Sequence, residues 1–538
     1  MKLRVVVFGL MFFFFANMGV RAQSFHELLK PPLRSPKLSR AQHFQDYFRD
    51  GKLQLSLHDA ILLTLENNSA IQVQESQIET AKFNLLHTYQ PFDPIFQSTA
   101  FVNRYSYPGY SQVQGQGTFD QLTHQGQLAY GQTFPTGTNV QVQMNSSRNS
   151  TNSGFYFVNP YWTTSLNLQF TQPIMKNRWR FENRAPLIVA QRNLEQSRAT
   201  FEAQVNDALL RVVRQYWEVV RARGNLEVFR QSLDAAQASY ERDKRALELG
   251  ALPPLDIYRS EAEVASRRVQ VIQAEYALKQ AVDALRFTIG ANQDNYFAAL
   301  DLDLTENPEP VGELKVMDVG SALQEALQKR PEVEAARHAL EGDDVNVRLA
   351  QNHLQPDLSL TGFYQSNGGN QYSLPSPGQI VSRGGLGTSL NQLFGFSYPG
   401  YGATLTLNLP LRNRAAQADL GSALVTRHRD LYSEQQVREQ ITLDVNNSVH
   451  QLEVSKLTLE AGKTALELAE KTLSADQRKY ELGSETIFFL LDSQTRVATA
   501  RANLLQAQID YQNAVSAVDY ATGSLLDAYQ VQIAEISK

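Results

Sequence analysis

The feature that most constrains this chain is a duplicated long helical segment, closed each time by a single glycine. LELGALPPLD (247–256) and YELGSETIFFLLD (480–492) both interrupt stretches that are otherwise predicted to be helical. When Gly250 is placed over Gly483 at a constant offset of 233, the match continues without a gap through the following helix. The sequence therefore predicts two copies of one structural unit.

The segment before each glycine is unusually long. Residues 185–249 and 415–482 contain no proline after Pro186, and at 1.5 Å per residue each helix would reach roughly 100 Å. Apolar or aromatic residues recur at every seventh position, a coiled-coil spacing: Val219, Leu226, Leu233, Tyr240 and Leu247, then Leu452, Leu459, Leu466, Leu473 and Tyr480. Rods of this length are expected to cross a distance rather than to fill a globular domain.

Between the helices the hydrophobic period changes from 3.6 to 2. YGATLTLNLP (401–410) and TSLNLQFTQP (164–173) alternate apolar and polar residues over about ten positions, the length of a tilted transmembrane β-strand. Weaker patterns at 95–105 and 357–366 predict the partner strands. A further hairpin is predicted at 127–145, with no counterpart in the second half, and the sequence leaves open whether it enlarges a barrel.

The N-terminus and the composition indicate export. Lys2 and Arg4 precede an apolar run and then small residues, which predicts a signal peptide cut after Ala22. The chain has no cysteine, so disulfides and thiolate metal sites are excluded. A net charge of -5 argues against nucleic-acid binding. Because an open sheet edge cannot face lipid, a membrane sheet with two strands per half must oligomerise.

These patterns divide the chain into consecutive segments. We expect a signal peptide (1–22), an N-terminal extension (23–52), a first repeat (53–290), a linker (291–316), a second repeat (317–523) and a C-terminal tail (524–538). Within the repeats, strands are expected at about 94–172 and 357–410, long helices at 185–249 and 415–482, and tip turns at 250–256 and 483–492. Each repeat also begins with an amphipathic helix, predicted to run to about residue 90 and residue 352.

The ordered duplication resembles the TolC family of outer-membrane efflux proteins. QPIMKNR (172–178) is echoed by LPLRNR (409–414), and both glycine turns are followed by an aspartate. The resemblance implies a mixed fold of α-helices and transmembrane β-strands: a homotrimer with four strands per protomer in one twelve-stranded outer-membrane barrel, continued by a coiled-coil tunnel across the periplasm. It also implies a passive exit duct for efflux or type I secretion, with a periplasmic adaptor, an inner-membrane transporter and outer-membrane lipid as partners.

Two other classes of protein share some of these features. A periplasmic adaptor is also exported and coiled-coil, but it would have one helical hairpin and no duplicated strand pairs. A secreted coiled-coil structural protein would leave the duplicated turns unexplained. The sequence contains no recognisable catalytic constellation, and we expect no enzyme activity, no cofactor and no metal site.

The two tip turns carry the candidate gate residues. The glycines at 250 and 483 end the long helices, and the aspartates that follow are either helix-capping groups or charged rings in a trimer. The resemblance implies a hydrogen bond from Tyr480 to Asp256 and a constriction ring that includes Asp492. The candidate set is Gly250, Gly483, Asp256, Tyr480, Glu485, Phe488, Phe489 and Asp492.

This sequence departs from the family pattern in the second turn. Glu485 stands where the best-known member has an arginine of its lock, and Phe489 replaces a second ring aspartate. Glu485 would repel Asp256, whereas Phe488 and Phe489 could form an apolar constriction. The sequence therefore predicts a gate that is partly hydrophobic.

Overall fold

The fold is described by a computed structural model that covers residues 44–49, 52–109, 117–154, 156, 158–249, 254–293, 296, 300–310, 312–376, 379–482 and 484–531. The predicted signal peptide lies outside these residues. The helices are α1 Leu57–Asn67, α2 Ser69–His87, α3 Arg180–Glu248, α4 Pro254–Thr288, α5 Val319–Lys329, α6 Pro331–His353, α7 Leu386–Phe394, α8 Arg414–Glu481, α9 Ile487–Thr522 and α10 Leu525–Ala528. Short 3-10 turns occupy Phe44–Tyr47, Gln90–Phe92 and Ala291–Gln293.

The two long helices are present and are slightly longer than predicted at their N-terminal ends. α3 has 69 residues and α8 has 68, so each is roughly 100 Å long. Pro186 is tolerated in the second turn of α3. The seven-residue seam faces the neighbouring helices: Val219, Leu226, Leu452 and Leu459 are buried. Each long helix packs along its return helix, α3 against α4 and α8 against α9.

The amphipathic stretch that opens each repeat is two helices rather than the single helix predicted. Asn68 separates α1 from α2 because its side chain caps the second helix, accepting from the backbone N–H of Ala70. Pro331 starts α6 directly after α5, since proline is favoured in a first helical turn. Among the helices within the described ranges, none is long and apolar enough to cross a membrane.

Within the described residues the strands form three sheets. Their bounds are β1 Phe48–Arg49, β2 Lys52–Leu55, β3 Ile95–Pro108, β4 Thr118–Thr133, β5 Asn139–Thr151, β6 Tyr161–Pro173, β7 Asp301–Leu304, β8 Asp357–Gly369, β9 Gln371–Ser376, β10 Gln379–Arg383 and β11 Tyr398–Asn408. The largest sheet has six antiparallel strands in the order β11-β8-β6-β5-β4-β3. The resemblance implied four strands; the hairpin predicted at 127–145 supplies the other two.

The two faces of the large sheet have opposite chemistry. One row of large side chains crosses all six strands: Tyr401, Tyr364, Leu168, Val142, Tyr130 and Phe96. A row on the opposite face is polar, with Thr404, Thr361, Thr171, Asn139 and Thr133 side by side. This alternation over 11 to 16 residues fits membrane-spanning strands with one face towards lipid and one towards water.

A three-stranded sheet, β1-β2-β7, anchors the middle of the molecule. β7 lies within residues 291–316, which the sequence predicted to be only a linker, and it pairs in parallel with β2. Leu53 and Leu55 are fully buried there, and the Tyr216 hydroxyl of α3 donates to the Leu55 carbonyl at 3.1 Å. Burial raises the pKa of Tyr216 to about 12. The predicted linker therefore contains a strand that pairs with the start of the first repeat.

The short helix α7 covers one end of the large sheet, away from the long helices. The Thr164 hydroxyl on β6 lies 3.1 Å from the Ser389 carbonyl oxygen, and the Ser366 hydroxyl on β8 donates to the Leu393 carbonyl at 2.7 Å. Gly368 allows this close approach, because a Cβ atom there would overlap the Ser389 carbonyl oxygen.

Candidate gate at the tips of the helical hairpins

The tip of each hairpin lies between the end of its long helix and the start of its return helix. α3 ends at Glu248 and α4 begins at Pro254, while α8 ends at Glu481 and α9 begins at Ile487. Gly250 and Gly483 lie outside the described residues. The backbone of Asp256 is helical within α4, but its side chain is outside the description.

An aspartate and a serine link the two helices of each hairpin near its tip. The Ser260 hydroxyl donates to Asp243, and the Ser493 hydroxyl donates to Asp476. Both pairs obey the 233-residue offset of the repeat. The Ser493 hydrogen bond holds the pKa of Asp476 below its usual range, with Lys479 contributing. The sequence analysis missed these pairs, although an aspartate and a serine recur at the same distances from both glycines.

Tyr480 connects the second hairpin to the first. Its hydroxyl donates to the Asp243 carboxylate at 2.9 Å, and Asp243 is 1% exposed. The resemblance implied Asp256 as the acceptor, and with that side chain undescribed the implied bond stays a prediction. Asp243 thus receives hydroxyls from both hairpins, because Ser260 belongs to the first and Tyr480 to the second.

Glu485 forms an ion pair with a lysine of its own hairpin. Its carboxylate lies 3.6 Å from the Lys479 ammonium, which is also 3.6 Å from Asp476. The side chain of Glu485 is only 16% exposed. The repulsion predicted between Glu485 and Asp256 is therefore opposed by a lysine that the sequence analysis did not consider.

Phe488 and Phe489 are exposed on the protomer. They are 57% and 50% exposed, and their rings meet edge to face with centroids 5.5 Å apart. Two neighbouring phenylalanines in water are a candidate contact surface, since large exposed apolar groups tend to be covered in the assembled state.

Asp492 lies in the second turn of α9 and not in the first turn, so the helix-capping interpretation is wrong for this residue. Its carboxylate accepts from Arg496 Nε at 2.7 Å on the same helix face. Both side chains are substantially exposed, at 41% and 70%. A ring built from Asp492 would therefore carry an arginine beside each aspartate.

Further polar contacts hold the hairpins side by side above the tip. Arg501 on α9 donates to Glu470 on α8 at 2.9 Å and to Gln231 on α3 at 3.3 Å. Arg267 on α4 donates to Thr495 on α9 and is 6% exposed. The tip is thus a network in which single side chains join three helices.

An amphipathic sheet of membrane-spanning length, joined to two helical hairpins of roughly 100 Å, defines the protomer of a channel-tunnel. Comparison with known proteins agrees with this class. The family profile described as "Outer membrane efflux protein" matches residues 136–291 and 322–524. The chain belongs to the outer membrane efflux protein family.

Individual relatives are distant in sequence and close in fold. The outer membrane protein TolC of Vibrio cholerae serotype O1 is 25% identical over 370 residues, covering 67% of this chain and 77% of the relative. The cobalt-zinc-cadmium resistance protein CzcC of Cupriavidus metallidurans is 24% identical, covering 63% and 73%. The crystal structure of the Campylobacter jejuni CmeC outer membrane channel superposes with a TM-score of 0.63 at 15% identity, covering 92% and 95%.

Proposed function

We propose that this chain is one protomer of a trimeric outer-membrane channel-tunnel, the passive exit duct of a tripartite efflux or type I secretion system. The observation that carries the proposal is the joining of an amphipathic six-stranded sheet to two repeat-related hairpins. The sheet spans the outer membrane, and the hairpins cross the periplasm. Cargo enters at the hairpin tips and leaves through the sheet.

A trimer is proposed because the sheet of one protomer has two unpaired edges. The edge strands β3 and β11 expose backbone groups that must be paired in lipid. Leu405 and Leu407 of β11 are 64% and 58% exposed, which suits contact with lipid. Pairing of β3 with β11 of the next protomer satisfies both edges at once.

The inner-membrane transporter and the periplasmic adaptor are the proposed partners at the tip. We propose that the export signal is cleaved after Ala22 and that the mature chain resides in the outer membrane of a Gram-negative bacterium. A periplasmic adaptor itself is the alternative, but its single hairpin fits poorly with the two hairpins and the large sheet described above.

We propose that the gate combines a hydrogen-bonded latch and an apolar contact. The latch is the Tyr480–Asp243 bond between hairpins, and the apolar contact is made by Phe488 and Phe489. Asp256 and Asp492 add charge near the same opening, with Glu485 held by Lys479. We propose that the glycines at 250 and 483, which lie outside the described residues, serve as the turn residues of the two tips.

Fractionation and bilayer recording test the proposed function. We expect the protein in the outer membrane as a heat-modifiable trimer that inserts into planar bilayers as discrete channels. Recovery of the protein as soluble periplasmic material would contradict the proposal. The adaptor alternative would give that soluble fraction together with binding to an inner-membrane transporter.

A further inference from the structure

The hairpin formed by β4 and β5 is a full member of the large sheet. β4 pairs with β3 along fourteen positions and with β5 along thirteen, and β5 pairs with β6 along eleven. The turn at residues 134–138 is closed by a 2.8 Å bond from the Phe134 amide to the Thr138 carbonyl. In the second repeat, β8 and β11 pair with each other directly.

From Gly126 to the turn and back to Ser147, the hairpin carries the same two-faced pattern as the strands around it, and His124 and Arg148 follow on the apolar face beyond that stretch. Leu128 and Met144 continue the apolar face of Leu166, whereas Gln127 and Asn145 continue the polar face of Ser165. The polar face is held by neutral hydrogen bonds, such as Thr123 to Asn149 at 2.8 Å and Asn145 to Ser165 at 3.4 Å. On that face the paired stretches Gln121–Thr133 and Asn139–Thr151 present amides, hydroxyls and small residues, with no charged side chain.

The strand directions allow closure with six strands per protomer. β3 runs away from the long helices and β11 runs towards them, so the edges of neighbouring protomers meet antiparallel. The lipid-facing side chains would then run across each protomer, from Leu407 on β11 to Leu128 on β4. They would continue across the seam between β3 and β11 into the next protomer. Both side chains are exposed on the isolated protomer, at 58% and 44%.

We propose that the β4–β5 hairpin spans the membrane as part of the barrel wall, so that the trimer has an eighteen-stranded barrel. This inference rests on the proposed trimeric channel. Barrel diameter grows roughly linearly with strand number, so the wall is about one and a half times wider than that of a twelve-stranded barrel. The part of the widened lumen that β4 and β5 line presents uncharged amides and hydroxyls, so the added strands contribute no charge to selection.

Single cysteines introduced into this cysteine-free chain test the inference. Leu128→Cys and Gln127→Cys are labelled with a small fluorophore in trimers reconstituted into phospholipid vesicles. We expect the Leu128 label to be quenched by lipids that carry a nitroxide on the acyl chain, and the Gln127 label to be quenched by aqueous iodide. Leu407→Cys and Thr406→Cys on β11 are the matched controls, because any barrel of this family would include that strand.

The outcomes separate the inference from the function on which it rests. If Leu407 and Thr406 alternate between lipid and water while both hairpin labels are quenched only from water, the hairpin lies outside the membrane and the inference is wrong. If the β11 labels also fail to alternate, the channel itself is wrong. Imaging of the detergent-solubilised trimer gives an independent count, for which eighteen strands are expected and twelve would overturn the inference.

Discussion

Asp243 and Asp476 occupy equivalent positions in the two repeats but have different partners. Each accepts a serine hydroxyl from its own return helix. Asp243 also accepts from Tyr480, whereas Asp476 is flanked by Lys479. The second repeat has Tyr480 where the first has Leu247. This tyrosine adds a hydrogen bond between the hairpins to the one that Asp243 accepts within its own hairpin.

Removing the hydroxyl of Tyr480 should loosen the tip. Tyr480→Phe deletes a hydrogen bond to a buried carboxylate, which is worth about 1.5–3 kcal/mol. If the bond exists only in the closed state, the ratio of closed to open channels falls by roughly tenfold or more. Single-channel recording measures this ratio, and Tyr432→Phe, an exposed tyrosine on α8, is the control. Unchanged gating in Tyr480→Phe would refute the latch.

Shortening Phe489 should widen an apolar constriction. Phe489→Ala removes an exposed ring that packs edge to face on Phe488, so conductance through the tip should increase by a few-fold. Phe287→Ala, an exposed phenylalanine near the far end of α4, is the control and should conduct as the unmodified channel does. Equal conductance in the two variants would show that the gate is not apolar at Phe489.

The residue types at the tip were predictable, but their partners were not. Tyr480, Glu485 and Asp492 are polar groups near a turn, and the alignment of repeats identified that turn. Their partners are set by how the four helices wind around one another, which places Asp243 beside Tyr480 across 237 residues. Heptad spacing shows which face of a helix is buried, but it does not give the rotation of one hairpin against another.

At the scale of elements, the contact between α7 and the large sheet depends on one missing side chain. Gly368 lies where the Ser389 carbonyl oxygen approaches β8, whereas Gly362 on the same strand face has no neighbour within 4 Å of an added Cβ. A short helix packed at that distance is fixed by its backbone as much as by its side chains.

Gly368→Ala should displace α7, whereas Gly362→Ala should not. The added methyl in the first variant overlaps a backbone oxygen, which must shift, at a cost of roughly 1–3 kcal/mol. We expect faster proteolysis of the segment around α7 in Gly368→Ala trimers and an unchanged rate in Gly362→Ala trimers. Equal protection in both would mean that α7 does not pack on β8 at this point.

Two neighbouring carboxylates link α6 to α8. Burial raises the pKa of Asp343 to about 6, and a hydrogen bond with Asp430 acts in the same direction. The Asp430 carboxylate, in contrast, is held ionised by Arg429 at 2.6 Å, which lowers its pKa. Asp343 is therefore the member of the pair that takes up a proton first as the pH falls.

The stability of the trimer should depend on the ionisation of Asp343. The pKa of Asp343 is higher in the folded state than in the unfolded state, so its contribution to stability falls as the pH rises from about 4 to 6 and is constant above that range. Asp343→Asn mimics the protonated form and should stabilise the protein at pH 8 by roughly 1–3 kcal/mol, with little gain at pH 4.

Thermal dissociation of the trimer at the two pH values measures this difference. Asp344→Asn is the control, because that carboxylate is exposed and paired with Arg427 at 2.6 Å. It should bring no stability gain at pH 8. A gain of equal size at both pH values in Asp343→Asn would rule out proton uptake as the cause.

The elements themselves followed closely from the sequence where one period ran over many residues. The second long helix and β6, β8 and β11 were found to within about three residues and the first long helix to within about five, because heptads and alternation fix them. The breaks at Asn68 and Pro331 and the strand β7 were missed. A four-residue strand has too few positions to show a period, and only its pairing with β2 makes it a strand.

At the scale of the whole molecule, the duplication determines most of the architecture. Two copies of one unit place two hairpins in parallel, and α9 of the second copy packs on α3 of the first. The family membership follows from this order rather than from any single motif. The strand count of the sheet did not follow, because the extra hairpin belongs to one repeat only.

The direction of the strands limits how this architecture can change in size. β3 ends and β6 begins at the end of the sheet that is farther from the long helices. The β4–β5 pair therefore fits between them without altering the up-and-down alternation of the strands on either side. A single added strand would make the seams between protomers parallel. In a trimer each added pair of strands occurs three times, so such barrels are expected to grow by six strands at a time. Their pore widths should therefore increase in discrete steps rather than continuously.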